Sequence, residues 1–148
     1  MVNAYFLDTS ALVKRYIAET GSNWIRSISD VATGNQIGLA QITWVEVLSA
    51  LARRQREGSL SASDLNLVVQ DLREDFENQY EVIEIDQALI ETPGELVIQY
   101  PLRAYDAVQL ASALRFQYAQ LVFISADHRL LNMAQSEGLV TDNPNNYA

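Results

Sequence analysis

Four short stretches each carry one acid where an apolar segment gives way to a helix. They are Asp8 in Phe6-Leu7-Asp8-Thr9-Ser10-Ala11, Glu46 in Thr43-Trp44-Val45-Glu46, Asp106 in Arg103-Ala104-Tyr105-Asp106-Ala107, and Asp127 in Ser125-Ala126-Asp127-His128. Gathered at one edge of a sheet, four carboxylates form an all-oxygen cluster of the kind that holds hard divalent cations such as Mg2+ or Mn2+. Two carboxylates about 4 Å apart repel by roughly 4 kcal/mol at an effective dielectric of about 20, so a convergent quartet calls for cations or protons to neutralise it. A local account competes with this one. Acids are favoured at helix N-termini by capping and by the macrodipole, whatever the chemistry. Thr43 and Glu46 have the spacing of a capping box, and Ser61-Ala62-Ser63-Asp64 repeats the same grammar on a helix with no suspected chemistry. Taken one at a time, the acids are explained as well by capping; their joint placement favours a site.

That placement depends on the elements around the acids. Apolar periodicity and punctuation predict strands over residues 2–7, 37–40, 80–85 and 121–124, with 139–141 as an added edge strand. Helices are predicted over 10–17, 23–32, 44–56, 61–78, 103–118 and 127–137. Gly58 stops one of them, and Asp86 caps a further helix in which Thr92-Pro93-Gly94 predicts a kink or break. Strands alternating with helices, with no hairpin turns between them, predict an α/β three-layer fold. Its central, mostly parallel sheet has four to five strands flanked by helices. Ligands of such sheets bind at the carboxyl ends of the strands. Asp8 directly follows the first strand and Asp127 the fourth, while Glu46 and Asp106 lie in opening helical turns. One domain is expected over 1–148, with the polar residues 142–148 as a loose tail.

Composition narrows the chemistry. Without cysteine there is no disulfide, thiolate centre or cysteine nucleophile, and the single His128 cannot build a multi-histidine zinc site. A reducing cytoplasm is the expected setting. The N-terminal stretch lacks a basic region and reaches Asp8 too soon for a signal peptide, and no apolar run approaches membrane-spanning length. A net charge of −9 argues against a protein that coats nucleic acid with a basic face. Catalysis on nucleic acid stays open, because Arg53, Arg54, Arg56, Arg103 and Arg129 supply cations for a local rim. The first three equally suit the last turn of a helix.

At four longer stretches the chain resembles a known family. Phe6 to Tyr16, Glu46 to Leu51, Leu102 to Ala113 and Phe123 to Asp127 are similar to the four acidic motifs of PIN-domain ribonucleases, and to those of VapC-type toxins of toxin-antitoxin pairs in particular. The resemblance spans nearly the whole chain in the family's order. It implies hydrolysis of RNA phosphodiester bonds, leaving a 5′-phosphate and a 3′-hydroxyl, with Asp8, Glu46, Asp106 and Asp127 as the catalytic acids around one or two Mg2+ or Mn2+ ions. Asp8 and Asp106 are then the principal ligands, Glu46 a ligand or water-orienting base, and Asp127 the ligand of a more weakly held second ion. Ser125 matches the family's small hydroxyl residue near the metal. The resemblance also implies a small cognate antitoxin lying across the catalytic groove, and a homodimer.

Other residues carry less. Thr9 either helps position the metal shell or phosphate or simply enters the helix, as Ser10 is expected to do. His128 stands where many relatives have Arg or Asn; with Arg103 and Arg129 it is a candidate contact to RNA or a partner. Trp44 is expected in the core with Val45, Leu48, Leu51 and Ala52 of its helix. The apolar faces of Leu12, Val13, Tyr16 and Ile17, and of Leu48, Leu51 and Ala52, serve equally as core or as a partner groove. Asp8-Thr9-Ser10 lacks the second aspartate of a haloacid-dehalogenase-like phosphatase. A response-regulator receiver would need a late lysine, and Lys14 is the only lysine. The remaining alternative keeps the fold but is catalytically weak and acts through a protein partner.

Overall fold

Strand β1 (Ala4–Leu7) is the spine of the computed structural model, which describes residues 2–148. On one side it pairs in parallel with β2 (Gln36–Ala40), which pairs with β3 (Glu81–Ile83); on the other it pairs with β4 (Leu121–Ile124), then β5 (Val140–Asp142). The sheet is five-stranded and parallel throughout, in the order β3-β2-β1-β4-β5. Chain connections leave β1 toward β2 but leave β4 toward β5. The β1–β4 boundary is therefore the topological switch point, where a crevice opens at the carboxyl ends of the strands.

Alternation along the strands builds two cores. Phe6 and Phe123 face one layer, made by α5 (Gln87–Gln99), α6 (Ala104–Arg115) and α7 (His128–Ser136), with Leu89, Leu96, Leu110 and Leu130 buried against them. Leu7 and Ile124 face the other, made by α1 (Thr9–Tyr16), α2 (Ser22–Ile28), α3 (Thr43–Arg56) and α4 (Ala62–Asn78), where Leu12, Ile25, Val47, Leu51 and Leu72 are buried. The three-layer α/β expectation is met, with all five strands parallel.

Gly38 lets these layers close. A Cβ at that position would stand 2.8 Å from three ring carbons of Phe116, at the end of α6. Glycine in β2 thus allows α6 to lie close on the sheet, and α6 carries one of the four acids.

Several local expectations change. The helix predicted over 23–32 stops at Ile28, and a 3-10 turn, Val31–Thr33, follows, capped by Asp30 accepting from the Ala32 amide at 2.8 Å. Helix α5 runs unbroken through Pro93, whose side chain is buried with Leu89 and Leu96. Packing on α6 offsets the missing backbone donor, which costs about 3 kcal/mol in an unsupported helix. Trp44 is half-buried against Phe76, but Val45 is 58% exposed and lies outside the core.

The C-terminal segment is not a loose end. Asp142 completes β5, Asn143 is buried, and Pro144–Asn146 forms a 3-10 turn. Tyr147 stacks on Trp24 with ring centroids 4.1 Å apart and donates to Asp142 Oδ2 at 2.7 Å. Gly21, at φ 85°, accommodates Pro144: a Cβ there would collide with the Pro144 carbonyl. Polar composition misleads because the segment is held by stacking and local caps rather than by aliphatic burial.

Lys14 is also buried, 5% exposed, with Nζ 3.4 Å from Glu19 Oε1; Arg54 holds the other Glu19 oxygen at 3.1 Å. These pairs tie α1 and α3 to the loop before α2. Among the described residues no helix is long and apolar enough to cross a membrane.

Candidate functional site

Asp8 leaves β1 in extended geometry and caps α1, accepting the Ala11 amide at 3.0 Å through Oδ1. The same oxygen accepts from Ser10 Oγ at 2.7 Å, and Oδ2 accepts from Ser125 Oγ at 2.6 Å. Ser125 follows β4, so this last bond closes the switch-point crevice. Ser10 Oγ in turn accepts from the Ala126 amide at 2.9 Å, and Ser125 Oγ from the Asp127 amide at 3.0 Å. Burial pushes the Asp8 carboxyl from 3.8 up to about 6; bonds from Ser125, Ser10 and Ala11 oppose the rise, and the Asp106 charge adds to it. Asp8 is therefore both a cap and a buried acid.

Glu46 takes part in a second network. Its Oε1 accepts from Thr9 Oγ1 at 2.9 Å and from Gln109 Nε2 at 2.8 Å. Gln109 Nε2 also lies 2.8 Å from Thr43 Oγ1 and 3.2 Å from Thr9 Oγ1. The capping box expected from Thr43 and Glu46 does not form. Ile42 occupies the cap position, without a side-chain cap bond, and Thr43 lies fully buried inside the first turn with its hydroxyl turned toward α6. Glu46 reaches across to α1 and α6 instead of back to its own backbone.

Asp106 sits in the first turn of α6, where Oδ2 accepts from Arg103 Nε at 3.0 Å. The guanidinium of Arg103 is raised above its ordinary value by that bond first, and by the charges of Asp106, Asp127 and Glu46. It thus lies within the field of three of the acids, while Asp8 feels Asp106. Asp127 caps α7, accepting from the Arg129 amide at 2.9 Å and the Leu130 amide at 3.4 Å. His128 and Arg129 are exposed in the turn that follows.

The four acids thus arise from four separate elements at one sheet edge, and their donor chemistry is hard oxygen throughout, which suits Mg2+ or Mn2+. The buried Asp8, raised by its own burial and by Asp106, is the kind of group a divalent charge would return to its ionised form. As placed, the acids remain separate. Among the described residues no three His, Cys, Asp or Glu side chains stand together closely enough to hold an ion, and Arg103, the Gln109–Thr9 pair and the α7 amides each engage one carboxylate.

A cleft of about 370 Å³ opens beside Glu46, lined by Thr9, Ile42, Val45, Ser49, Ala50, Arg53 and Tyr105. Of the two apolar faces that could serve as core or as a partner groove, Leu12, Val13 and Leu51 are buried in the core, while Tyr16, Ile17, Leu48 and Ala52 are half-buried. Arg54 is committed to Glu19, whereas Arg53 is exposed at the cleft wall. Sequence reasoning missed Gln109 and undervalued Ser10. The available signal at Gln109 was one amide residue, three positions after Asp106, on the otherwise apolar side of an Ala-rich helix.

A parallel five-stranded sheet in this order, flanked by helices on both faces, is the architecture of a PIN-like fold. The PIN domain family profile matches residues 5–135, and the chain belongs to that family, as the four motifs implied. Among its relatives, a protein named Ribonuclease VapC45, from Mycobacterium tuberculosis (strain CDC 1551 / Oshkosh), is 34% identical over 134 residues, covering 90% of each chain. Ribonuclease VapC47 from the same strain is 28% identical over 141 residues, covering 94% of this chain and 96% of that one. Among solved structures, a toxin-antitoxin complex from Klebsiella pneumoniae superposes with a TM-score of 0.64 at 19% identity, over 95% of this chain and 97% of that one, a likeness of fold.

Proposed function

We propose that the protein is a divalent-metal-dependent ribonuclease that hydrolyses RNA phosphodiester bonds, and that it serves as the toxin of a toxin-antitoxin pair. The observation that carries this reading is the position of the acids: Asp8 and Asp127 follow the adjacent strands β1 and β4, and Glu46 and Asp106 lie in the opening turns of α3 and α6. Relatives named as ribonucleases support it. Asp8, Asp106, Asp127 and Glu46 would hold one or two Mg2+ or Mn2+ ions. A divalent ion held there supplies Lewis acidity, acidifying the attacking water and offsetting charge on the scissile phosphate.

The protein's own groups do the rest. Ser125 and Ser10 orient the Asp8 carboxylate, Thr9 and Gln109 orient Glu46, and Arg103 holds Asp106. Glu46, half-buried on the cleft wall, is placed to orient water or take its proton. Arg103 and Arg129, with His128 beside them, form the exposed rim that meets RNA phosphates in an otherwise acidic protein. A small antitoxin, in this reading, lies along the cleft beside Glu46. The assembly is a homodimer in the cytoplasm.

A second reading, a catalytically weak module acting through a partner, draws on the protein donors that already engage each carboxylate. One experiment separates the two: labelled structured and single-stranded RNAs incubated with antitoxin-free protein in Mg2+, Mn2+ or chelator, beside Asp8→Asn and Asp106→Asn. Metal-dependent cleavage falling at least about a hundredfold in each variant supports the ribonuclease. Variants that cleave like wild type would remove the assignment, and metal binding without cleavage would favour the module.

A further inference from the structure

Gln109 is a buried amide side chain that joins three elements of the site. It projects from the second turn of α6, is 2% exposed, and directs Nε2 at Thr9 of α1 and at Thr43 and Glu46 of α3. Its orientation follows from charge. With the amide turned over, the carbonyl would face Glu46 Oε1, acceptor against acceptor, so the arrangement with Nε2 inward is the one that forms hydrogen bonds. The consequence falls on the other side of the amide, where Gln109 Oε1 is buried without a hydrogen-bond partner. Buried polar atoms are ordinarily partnered, so an orphaned carbonyl at a core position points to a residue kept for its other end.

What that end does is specific. Two hydrogens on Nε2 serve three oxygens, and Thr9 spends its own hydroxyl hydrogen on the same Glu46 oxygen. Glu46 Oε1 therefore receives two donors from two helices, while Oε2 has no hydrogen-bond partner among the described residues and Glu46 lines the cleft. We propose that Gln109 is a positioning residue that locks the Glu46 carboxylate, and Thr9 with it, in the orientation the metal centre uses. This rests on the ribonuclease reading and assigns a role to a residue outside the four acidic positions. Groups that orient carboxylate ligands from behind are commonly worth about 10- to 100-fold in metal affinity or activity.

The test is a double-mutant cycle with two readouts, RNA cleavage and Mn2+ affinity by titration of the RNA-free protein. Gln109→Met keeps the bulk and removes the amide. It is expected to lower cleavage about 10- to 100-fold, mainly through kcat, and to weaken Mn2+ binding about tenfold, with a melting temperature close to wild type. In a Glu46→Gln background the same change should add little to either readout, because the effect passes through Glu46; a merely structural role would multiply instead. If Gln109→Met does not fold, Gln109→Asn, whose amide is withdrawn by one carbon, carries the same cycle. Wild-type Mn2+ affinity and cleavage in the Gln109 variant, or losses that multiply with Glu46→Gln, would overturn the proposal alone. A wild-type protein that neither binds Mn2+ nor cleaves RNA would overturn the ribonuclease reading and this role with it.

Discussion

Ser125 Oγ donates to Asp8 Oδ2 at 2.6 Å, joining residues 117 positions apart across the carboxyl ends of β4 and β1. This bond is the strongest of those that hold the Asp8 pKa down against burial, yet burial wins and the carboxyl stands near 6.

That balance sets a pH dependence. An Asp raised from 3.8 to about 6 on folding contributes stability that is fully present below about 3.8 and is lost as pH rises through about 6. The full swing is on the order of 3 kcal/mol. Asp8→Asn, which cannot ionise, should gain on wild type as pH rises. Thermal melts in chelator should show the variant's Tm advantage growing by several degrees between pH 4.5 and 7.5, at about 2–4 °C per kcal/mol for this size. An advantage independent of pH would show that Asp8 does not titrate as a buried group.

Saturating Mn2+ should raise the wild-type Tm at pH 7.5 by linkage, about 2.7 kcal/mol at a hundredfold excess over Kd. Neither Asp8→Asn nor Asp106→Asn should show the full rise. Equal shifts in all three proteins would place the ion elsewhere.

Arg103 is 75% exposed, so its pair with Asp106 adds little stability, between about 0 and 1 kcal/mol. Arg103→Ala should leave the Tm nearly unchanged but weaken RNA binding. The slope of log K against log salt should fall by about 0.7, as for one lost single-strand phosphate contact. An unchanged slope would remove Arg103 from the RNA rim.

Gly38→Ala would drive a methyl group into the Phe116 ring, which is 1% exposed and cannot move aside. Overpacking of this kind costs about 1–3 kcal/mol, so a clear fall in Tm is expected. Cleavage should fall as well, because displacing α6 moves Asp106 and Gln109. A variant with wild-type Tm and activity would mean that the close approach is not needed.

Much of the placement of the candidate acids was legible because acids at strand ends obey topology: once Asp8 and Asp127 follow parallel strands, their edge is determined. What escaped depends on side-chain direction. Thr43 and Glu46 have capping-box spacing, but Thr43 points into the core and Glu46 toward a helix sixty residues later, which spacing cannot report. Gln109 looks like one polar residue in an Ala-rich helix, and only the packing of α6 on α1 and α3 gives it partners. The C-terminal segment misled through composition, since Trp24–Tyr147 stacking joins two residues far apart in sequence. Pro93 does not break its helix, because a lost backbone bond can be outweighed by burial on α6.

The single lysine has a practical consequence. Lys14 lies on α1, the helix that presents Thr9 and Ser10, and its amine is shielded beside Glu19. Amine-reactive reagents will therefore acylate this side chain only when α1 lifts from its neighbours. The extent of labelling at Lys14, read by mass spectrometry, becomes a built-in gauge of how often the helix carrying half of the Asp8 environment opens, and of how far a bound ion or RNA suppresses that opening.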